Sequence, residues 1–138
     1  MQMPGSFFDT NVLVYIAGND QAKADRAEAA LARGGAISVQ VLNELANVAR
    51  RKIRMSWADT HAFLEAIRGL LTVHPLSVEV HETALDVAER YGLSIYDALI
   101  AASALHAGCD TLWSEDLQHG MTREQCLRIV NPFRVSKL

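Results

Sequence analysis

Short apolar runs alternate with longer segments of helical periodicity along this chain. The alternation predicts an α/β fold with a central, mostly parallel sheet. The predicted strands cover residues 7–9, 36–39, 72–76, 110–114 and 127–130. The predicted helices cover about residues 11–17, 21–33, 40–52, 57–71, 78–91 and 95–107. Pro75 predicts an edge position or an early end for the third strand, because proline cannot donate a hydrogen bond to a neighbouring strand.

Serine and glycine residues mark where several of these helices begin and end. Ser56 opens a stretch that resembles a capping box, and Ser77 and Ser94 are placed to cap the last two helices. Gly92 and Gly108 stand where those two helices are expected to stop, because glycine readily adopts the left-handed conformation that ends a helix.

Length and composition are those of one compact domain, which we expect to span residues 1–138. Half of the residues are hydrophobic, which is enough to build a sizeable core. No apolar stretch reaches the roughly 18 residues that a membrane span requires. The apolar run at residues 12–17 lacks a charged segment before it, so we expect neither a signal peptide nor contact with a membrane.

The two cysteines, Cys109 and Cys126, have neither the spacing of zinc ligands nor the density of a disulfide scaffold. Each is expected to be a small core residue or a free thiol. A reducing cytoplasmic location is therefore expected.

Net charge disfavours one class of function. A net charge of −3 argues against a protein that coats nucleic acid through bulk positive charge, but not against a nucleic acid as substrate. The densest basic group is Arg50, Arg51, Lys52 and Arg54. A solvated helix end that complements the helix dipole is the simpler explanation for any one of them.

Four acids lie at strand ends or near helix starts. Asp9 closes the first predicted strand, Asp116 follows the strand "DTLWS", Asp97 lies in the first turn of its helix, and Glu44 in the second turn of another. In an open parallel sheet these positions share one edge, where such folds bind ligands. Acids from distant parts of the chain can therefore meet there.

Carboxylates gathered in one place raise one another's pKa, so a compensating charge is needed. Mg²⁺ or Mn²⁺ suits such a site, because both prefer carboxylate and water ligands. A cation held there can lower the pKa of bound water and orient an attack on phosphate. The sequence therefore indicates a divalent-cation site built from the four acids.

Each acid also has a simpler explanation. Asp9 is placed to cap the helix after it, Asp97 to complete a capping box with Ser94, and Asp116 to be an exposed loop residue. Glu44 is harder to explain in this way, because it stands in the otherwise uncharged helical segment "VQVLNELANVA" and a buried charge is rarely unpaired. One shared site explains all four acids at once.

The helix that carries Glu44 also brings a basic residue to the same face. Asn47 and Arg51 follow Glu44 at spacings of three and seven, so the three side chains share one helix face. Arg51 would stand roughly 10 Å from Glu44 along the axis. If a phosphate chain is the substrate and its scissile bond lies at Glu44, we expect Arg51 to contact a neighbouring phosphate.

Four motifs together resemble the PIN-domain ribonucleases, and most of all the VapC-type toxins of bacterial toxin–antitoxin pairs. The motifs are "FFDTNVLVY", "ISVQVLNEL", "LSIYDALIAASA" and "TLWSEDLQHG". Each is short, but they occur in the family's order and spacing over nearly the whole chain. The resemblance implies a three-layer α/β/α fold.

The same resemblance implies an activity and partners. It implies Mg²⁺- or Mn²⁺-dependent cleavage of single-stranded or loop RNA that leaves a 5′-phosphate, with Asp9, Glu44, Asp97 and Asp116 as metal-binding and catalytic residues. Such toxins usually form homodimers and are silenced by a small antitoxin whose tail fills the groove near the acids.

Further residues have a role by position in the family pattern. Asn11 and Ser114 fall on the polar positions that support the first and last acids. Glu115 stands beside Asp116, and the family's serine-or-threonine, any residue, aspartate pattern favours Asp116 as the site residue. His119 is a candidate for contact with substrate, but a solvent-exposed loop position is the simpler expectation.

Aromatic side chains are the remaining candidates for contact with bases. Trp57, Tyr96 and Trp113 could each stack on a base. Core positions are the simpler expectation for all three.

Two other classes fit the residues less well. An aspartyl-phosphate phosphatase needs a second aspartate two residues after Asp9, where this chain has Asn11. A receiver-type signalling domain expects adjacent acids and a late lysine. A catalytically silent PIN-like module that binds protein or RNA is the remaining alternative, and its signature would be the loss of one or more acids.

Overall fold

A six-stranded sheet forms the centre of the fold within the part of the chain that the computed structural model describes, residues 5–117, 122–123 and 127–133. Five strands are mutually parallel. The remaining strand, which is the shortest, pairs antiparallel to its neighbour at one edge of the sheet. Helices cover both faces. The predicted α/β class and the three-layer α/β/α arrangement are confirmed.

The strands are short. They are β1 (Ser6–Phe8), β2 (Ala36–Ser38), β3 (Thr72–His74), β4 (Thr111–Trp113), β5 (Thr122–Arg123) and β6 (Leu127–Val130). Their order across the sheet is β3-β2-β1-β4-β6-β5. The edge position that Pro75 predicts for the third strand is confirmed, since β3 lies at one end of this order.

Within the described ranges, six α-helices connect the strands. They are α1 (Thr10–Leu13), α2 (Gln21–Leu31), α3 (Val39–Arg51), α4 (Trp57–Leu70), α5 (Val78–Tyr91) and α6 (Ile95–His106). A 3₁₀ turn, Val14–Ala17, continues α1. These bounds differ from the predicted ones by one or two residues, and the short β5 was not predicted.

The order in which successive strands are added to the sheet reverses between β1 and β4. The chain moves outward from β1 to β2 and β3, then crosses back to β4 on the other side of β1. Because parallel crossovers are right-handed, α1–α4 cover one face and α5 and α6 cover the other. The point of reversal leaves a crevice at the carboxyl ends of β1 and β4, which is where such sheets bind ligands.

The sheet is lined by large apolar side chains that are fully buried, among them Phe7, Phe8, Leu112 and Ile129. The alanine-rich helix α6 packs its small side chains inside the chain, where Ala98–Ala104 include mostly buried positions. This face of α6 therefore serves packing within the protomer.

Gly35 permits the close approach of β1 and β2. Its φ is +151°, and a Cβ atom there would lie 2.6 Å from the Phe8 ring and 2.7 Å from the Ser6 carbonyl oxygen. Glycine is thus required for this strand pair.

Cys109 is a buried free thiol, as expected. Burial raises its pKa to about 11, so the thiol stays protonated at neutral pH. The prediction for Cys126 lies outside the described residues. Among the helices described, none is long and apolar enough to cross a membrane.

Candidate active site

Asp9 lies where β1 ends and α1 begins, and its carboxylate is held by three donors. Parallel pairing of Phe8 with Trp113 brings Asp9 beside Ser114. The Ser114 hydroxyl donates to Asp9 Oδ2 at 2.8 Å, and the Asn11 amide donates to the same oxygen at 3.3 Å. The Thr10 backbone N–H donates to Oδ1 at 2.7 Å. Asp9 is therefore the N-cap of α1 and also a fixed, buried carboxylate.

Burial raises the pKa of the Asp9 carboxyl from 3.8 to about 6. The hydrogen bonds from Ser114 and Thr10 act in the opposite direction, and the negative charges of Glu44 and Asp97 add to the rise. A carboxyl that loses its proton with difficulty, beside two other acids, is suited to a positively charged ligand.

Glu44 reaches the same place from the second turn of α3. Its Oε2 accepts a hydrogen bond from the Thr10 hydroxyl at 2.5 Å, and its Oε1 accepts one from the Gln40 amide at 2.9 Å. Thr10 thus links the two acids, because its N–H binds Asp9 and its hydroxyl binds Glu44. Both donors to Glu44 are neutral side chains, so these contacts fix the orientation of its carboxylate.

Asp97 lies in the first turn of α6. Its backbone N–H donates to the Ser94 hydroxyl at 3.2 Å, so Ser94 caps the helix as predicted. Among the described residues the Asp97 carboxylate makes no hydrogen bond of its own. The Ser94 cap explains where residue 97 lies on the helix. It does not explain why the side chain at this position is acidic.

The segment after β4 supplies the fourth acid. The Ser114 hydroxyl, besides donating to Asp9, accepts from the Leu117 N–H at 3.2 Å. The Glu115 N–H donates to Asn11 Oδ1 at 3.0 Å. Asp116 is exposed between these two anchored residues.

Glu115, unlike the four predicted acids, is paired with a basic side chain within the described part of the chain. Its Oε1 accepts a hydrogen bond from the Tyr15 hydroxyl at 2.9 Å, and its Oε2 pairs with Lys23 Nζ at 2.8 Å. Glu115 and then Tyr15 hold the pKa of Lys23 above its ordinary value. Glu115 is therefore neutralised by its neighbours, whereas Asp116 is not.

A cavity of about 360 Å³ collects all four predicted acids, and we call it the acidic cavity. It lies at the crevice between the carboxyl ends of β1 and β4. Its lining includes Asp9, Glu44, Asp97 and Asp116, together with Asn11, Glu115, Thr10, Tyr15, Val14, Val48, Lys52, Tyr96 and Ile100. Ser114 reaches the cavity through its bond to Asp9, and His119 lies outside the described residues.

One basic residue is placed differently from the expectation. Arg51 is exposed and does not line the acidic cavity, whereas its neighbour Lys52 does. The cavity is lined by Glu44 and Val48 of α3 and by Lys52 just after the helix end, at spacings of four and eight from Glu44. Asn47 is exposed and does not line the cavity.

The aromatic residues expected in the core are not all there. Tyr96 is 68% exposed at the mouth of the acidic cavity, and Trp57 is 62% exposed. The Trp57 ring lies 4.1 Å from the Arg50 guanidinium, which covers one of its faces. The core expectation was wrong for these two residues, and Trp113 is half-buried.

Carboxylate oxygens are the donors that hard cations prefer, so the donor set of the acidic cavity suits Mg²⁺ or Mn²⁺. Within residues 5–117, 122–123 and 127–133, no three histidine, cysteine, aspartate or glutamate side chains already stand as a group that could hold a metal ion. The chemistry fits, and the side chains would have to converge further.

Four residues that bind acids of this site were not predicted, and they are Thr10, Tyr15, Lys23 and Gln40. Gln40 and Glu44 stand four apart on one helix, a spacing at which an amide and a carboxylate meet, so this pair carried a usable signal. Thr10, Tyr15 and Lys23 contact acids that are distant in sequence, and no local pattern indicates such contacts.

Comparison with known proteins identifies a protein family that this chain matches. The family model described as PIN domain matches residues 6–122, which is most of the chain. No curated protein sequence gives a significant match.

Solved structures share the fold at low sequence identity. A toxin–antitoxin complex from Klebsiella pneumoniae is 20% identical with a TM-score of 0.72, covering 94% of this chain and 99% of that one. DNA-bound VapBC from Salmonella typhimurium is 22% identical with a TM-score of 0.67, covering 92% and 97%. VapC20 from Mycobacterium tuberculosis, a toxin that cleaves the sarcin–ricin loop, is 18% identical with a TM-score of 0.62, covering 80% and 89%.

Proposed function

Because the chain belongs to the PIN-domain family, we propose that it is a divalent-cation-dependent endoribonuclease and the toxin of a toxin–antitoxin pair. One observation carries the proposal. Acids from four distant segments, Asp9, Glu44, Asp97 and Asp116, line a single cavity at the reversal point of the sheet. Carboxylates brought together repel one another, so their convergence favours a cationic ligand.

Mg²⁺ or Mn²⁺ is the cofactor in this proposal. Asp9 and Asp97 would bind the cation directly, Asp116 would bind it directly or through water, and Glu44 would bind a second cation or orient the attacking water as a base. When bound, the cation supplies charge neutralisation at phosphate and a lowered pKa for its water.

The chain's own residues set this site in place. Ser114, Asn11 and the Thr10 N–H fix both oxygens of Asp9, and Thr10 and Gln40 fix both oxygens of Glu44. Two of the acids are thus oriented before any ligand arrives, which lowers the entropy that binding would otherwise cost.

RNA is the proposed substrate, in single-stranded or loop form. Lys52 lines the acidic cavity and offers a positive charge to a phosphate, and the exposed Arg51 beside it can contact a phosphate further along the strand. The exposed ring of Tyr96 at the cavity mouth offers a surface on which an unpaired base can stack. Cleavage would leave a 5′-phosphate.

The proposed partners are a cognate antitoxin and a second copy of this chain. Structures of the same fold include a toxin–antitoxin complex and a DNA-bound VapBC assembly, which supports an antitoxin for this chain. The homodimer rests on family likeness, and sedimentation of the purified protein would test it.

A cleavage assay tests the proposed function. Purified, partner-free protein is incubated with a pool of structured RNAs in Mg²⁺, in Mn²⁺ and in EDTA. We expect discrete cuts with either cation and none in EDTA. Asp97→Asn should lose at least about a hundredfold in rate, because it removes a direct ligand of the cation that would neutralise charge at the phosphate.

Asp59→Asn is the matched control, since Asp59 also lies in the first turn of a helix but outside the acidic cavity. It should cleave like the wild type. Equal cleavage by Asp97→Asn and the wild type, or cleavage that persists in EDTA, would refute the proposal.

A further inference from the structure

A contact network beside the acidic cavity ties α2 to the segment that carries Asp116. The network consists of Tyr15, Lys23 and Glu115, with the Phe133 ring packed against it. Lys23 Nζ lies 2.8 Å from Glu115 Oε2 and 3.0 Å from the Tyr15 hydroxyl, and that hydroxyl donates to Glu115 Oε1 at 2.9 Å. Both carboxylate oxygens of Glu115 are therefore engaged.

Aromatic packing holds the lysine in place. Lys23 Nζ lies 4.4 Å from the centre of the Tyr15 ring and 5.2 Å from that of Phe133. The two rings meet edge to face with centres 4.8 Å apart. A lysine held between two rings and a carboxylate loses more freedom than an ordinary surface lysine, so its position is specified.

The backbone of the same segment is anchored from the other side. The Glu115 N–H is bound by Asn11, and the Leu117 N–H by Ser114, which also contacts Asp9. Asp116 lies between these anchors and has no hydrogen-bond partner among the described residues. Its place at the cavity therefore depends on how its two neighbours are held.

We propose that Lys23 and Tyr15 are positioning residues, which hold the Glu115 carboxylate and thereby fix Asp116 at the edge of the acidic cavity. This inference rests on the proposed function for its consequence, the binding of a divalent cation. In this proposal Glu115 supports the site and does not bind the cation, because its charge is already paired with that of Lys23.

Simple electrostatics predicts a different result from positioning, and the difference makes the proposal testable. Lys23→Met removes a positive charge near the acids, so through charge alone it would strengthen cation binding. Glu115→Gln removes a negative charge and would weaken it. Positioning predicts that both variants weaken binding, because each one releases the segment that carries Asp116.

The first measurement is a Mn²⁺ titration of the purified protein followed by electron paramagnetic resonance. We expect Lys23→Met and Glu115→Gln each to weaken Mn²⁺ binding by about tenfold, the usual effect of losing a residue that supports a metal ligand. The double variant should be no weaker than either single one. Lys23→Arg should recover most of the affinity, because it restores the ion pair.

Two further variants guard against a loss of folding or a general charge effect. Tyr15→Phe removes only a hydroxyl, keeps the ring contacts, and should weaken Mn²⁺ binding by a smaller factor. Arg33→Met removes one positive charge just beyond α2, outside the acidic cavity, and should leave binding unchanged. Thermal unfolding should change little in any of them, because partly exposed ion pairs add little stability.

The second measurement needs no cation. Backbone hydrogen exchange in EDTA should become faster at Glu115 and Leu117 in Lys23→Met and in Glu115→Gln, but not in Arg33→Met. Unchanged exchange, or Mn²⁺ affinities that move in opposite directions in the two variants, would overturn the positioning role. A wild type with protected amides that binds no Mn²⁺ and cuts no RNA would keep the positioning of the segment and refute the proposed function instead.

Discussion

At the scale of single residues, Asp9 carries the clearest physical signature of the site. Its carboxyl is almost fully buried, and its pKa is raised to about 6 by that burial, with contributions from Glu44 and Asp97. A helix cap alone does not need two further acids nearby. The raised pKa has a consequence for stability that can be measured without substrate or cation.

We expect the wild-type protein in EDTA to lose stability as the pH rises from about 4 to about 6. The folded state binds the Asp9 proton more tightly than the unfolded state does, so folding is favoured at low pH and that advantage disappears as pH passes the folded pKa. The loss should be about 2–3 kcal/mol at most, at 1.36 kcal/mol for each unit of pKa shift. Urea unfolding across this pH range measures it.

Asp9→Asn should remove that pH dependence, and Asp59→Asn should retain it. In the cleavage assay, Asp9→Asn should also abolish RNA cleavage. Identical pH profiles of stability for the wild type and Asp9→Asn would show that the buried carboxyl does not titrate as described.

Lys52 shows that helical spacing alone does not determine which residues face the cavity. Spacings of three and seven from Glu44 lead to Asn47 and Arg51, and spacings of four and eight lead to Val48 and Lys52. Both sets of residues begin at Glu44 and continue to the end of α3, and only the packing of the helix determines which set faces the cavity. The structure places the second set there.

At the scale of elements, each acid is delivered by a strand end or a helix start, and these are the features that local sequence determines well. Ser94 before α6 is an example, because it caps the helix and so fixes where Asp97 stands. The cap and the acid are separate functions of neighbouring residues, and two substitutions can separate them.

Ser94→Ala should lower the free energy of unfolding by about 1 kcal/mol, the usual cost of losing an N-cap, and should leave cleavage within a few fold of the wild type. Asp97→Asn should do the opposite, with near-normal stability and no cleavage. Urea unfolding and the cleavage assay, run on both variants, check this. A loss of cleavage in proportion to the loss of stability in both variants would mean that Asp97 acts only through the helix start.

Gly35 is the second position where an element depends on one residue. Gly35→Ala should destabilise the fold by about 2–4 kcal/mol, because the new Cβ would overlap the Phe8 ring and the Ser6 carbonyl where β1 and β2 meet. Gly34→Ala is the matched control. It shares a positive φ, +78°, but has open space around it, so it should cost only about 1 kcal/mol. Equal losses in thermal or urea unfolding would contradict the steric argument.

Most of the elements could be predicted from sequence, because caps, glycine stops and apolar runs are local signals. The strand β5 could not be, since two residues are too few to give any periodicity. The contacts of Glu115 with Lys23 and Tyr15 could not be predicted either, because these partners are 92 and 100 positions away in the sequence. The four acids were within reach since the parallel sheet places strand ends together.

At the scale of the whole molecule, charge distribution matters more than net charge. The chain carries a net charge of −3, and the cavity proposed to receive RNA is lined by acids. Attraction for a phosphate chain therefore depends on a cation in the cavity and on the basic residues at the end of α3.

RNA binding should accordingly be weak and strongly dependent on salt. Asp97→Asn neither cuts RNA nor holds the cation in this account, so RNA binding in that background measures the contribution of the basic residues alone. In that background, Lys52→Ala should reduce the slope of log affinity against log salt by about 0.7, the contribution of one phosphate contact to a single strand. Arg33→Ala, which changes the same charge far from the acidic cavity, should leave the slope unchanged. Equal slopes for both variants in fluorescence anisotropy would place the phosphate contacts elsewhere.

The central claim is that Asp9, Glu44, Asp97 and Asp116 form one divalent-cation site. Anomalous diffraction from crystals soaked in Mn²⁺ tests it most directly. We predict an anomalous peak in the acidic cavity, next to the carboxylates of Asp9 and Asp97, and no peak there in crystals of Asp97→Asn. Mn²⁺ bound only outside the cavity in wild-type crystals would contradict the claim, and would return the four acids to the roles of helix caps and loop residues.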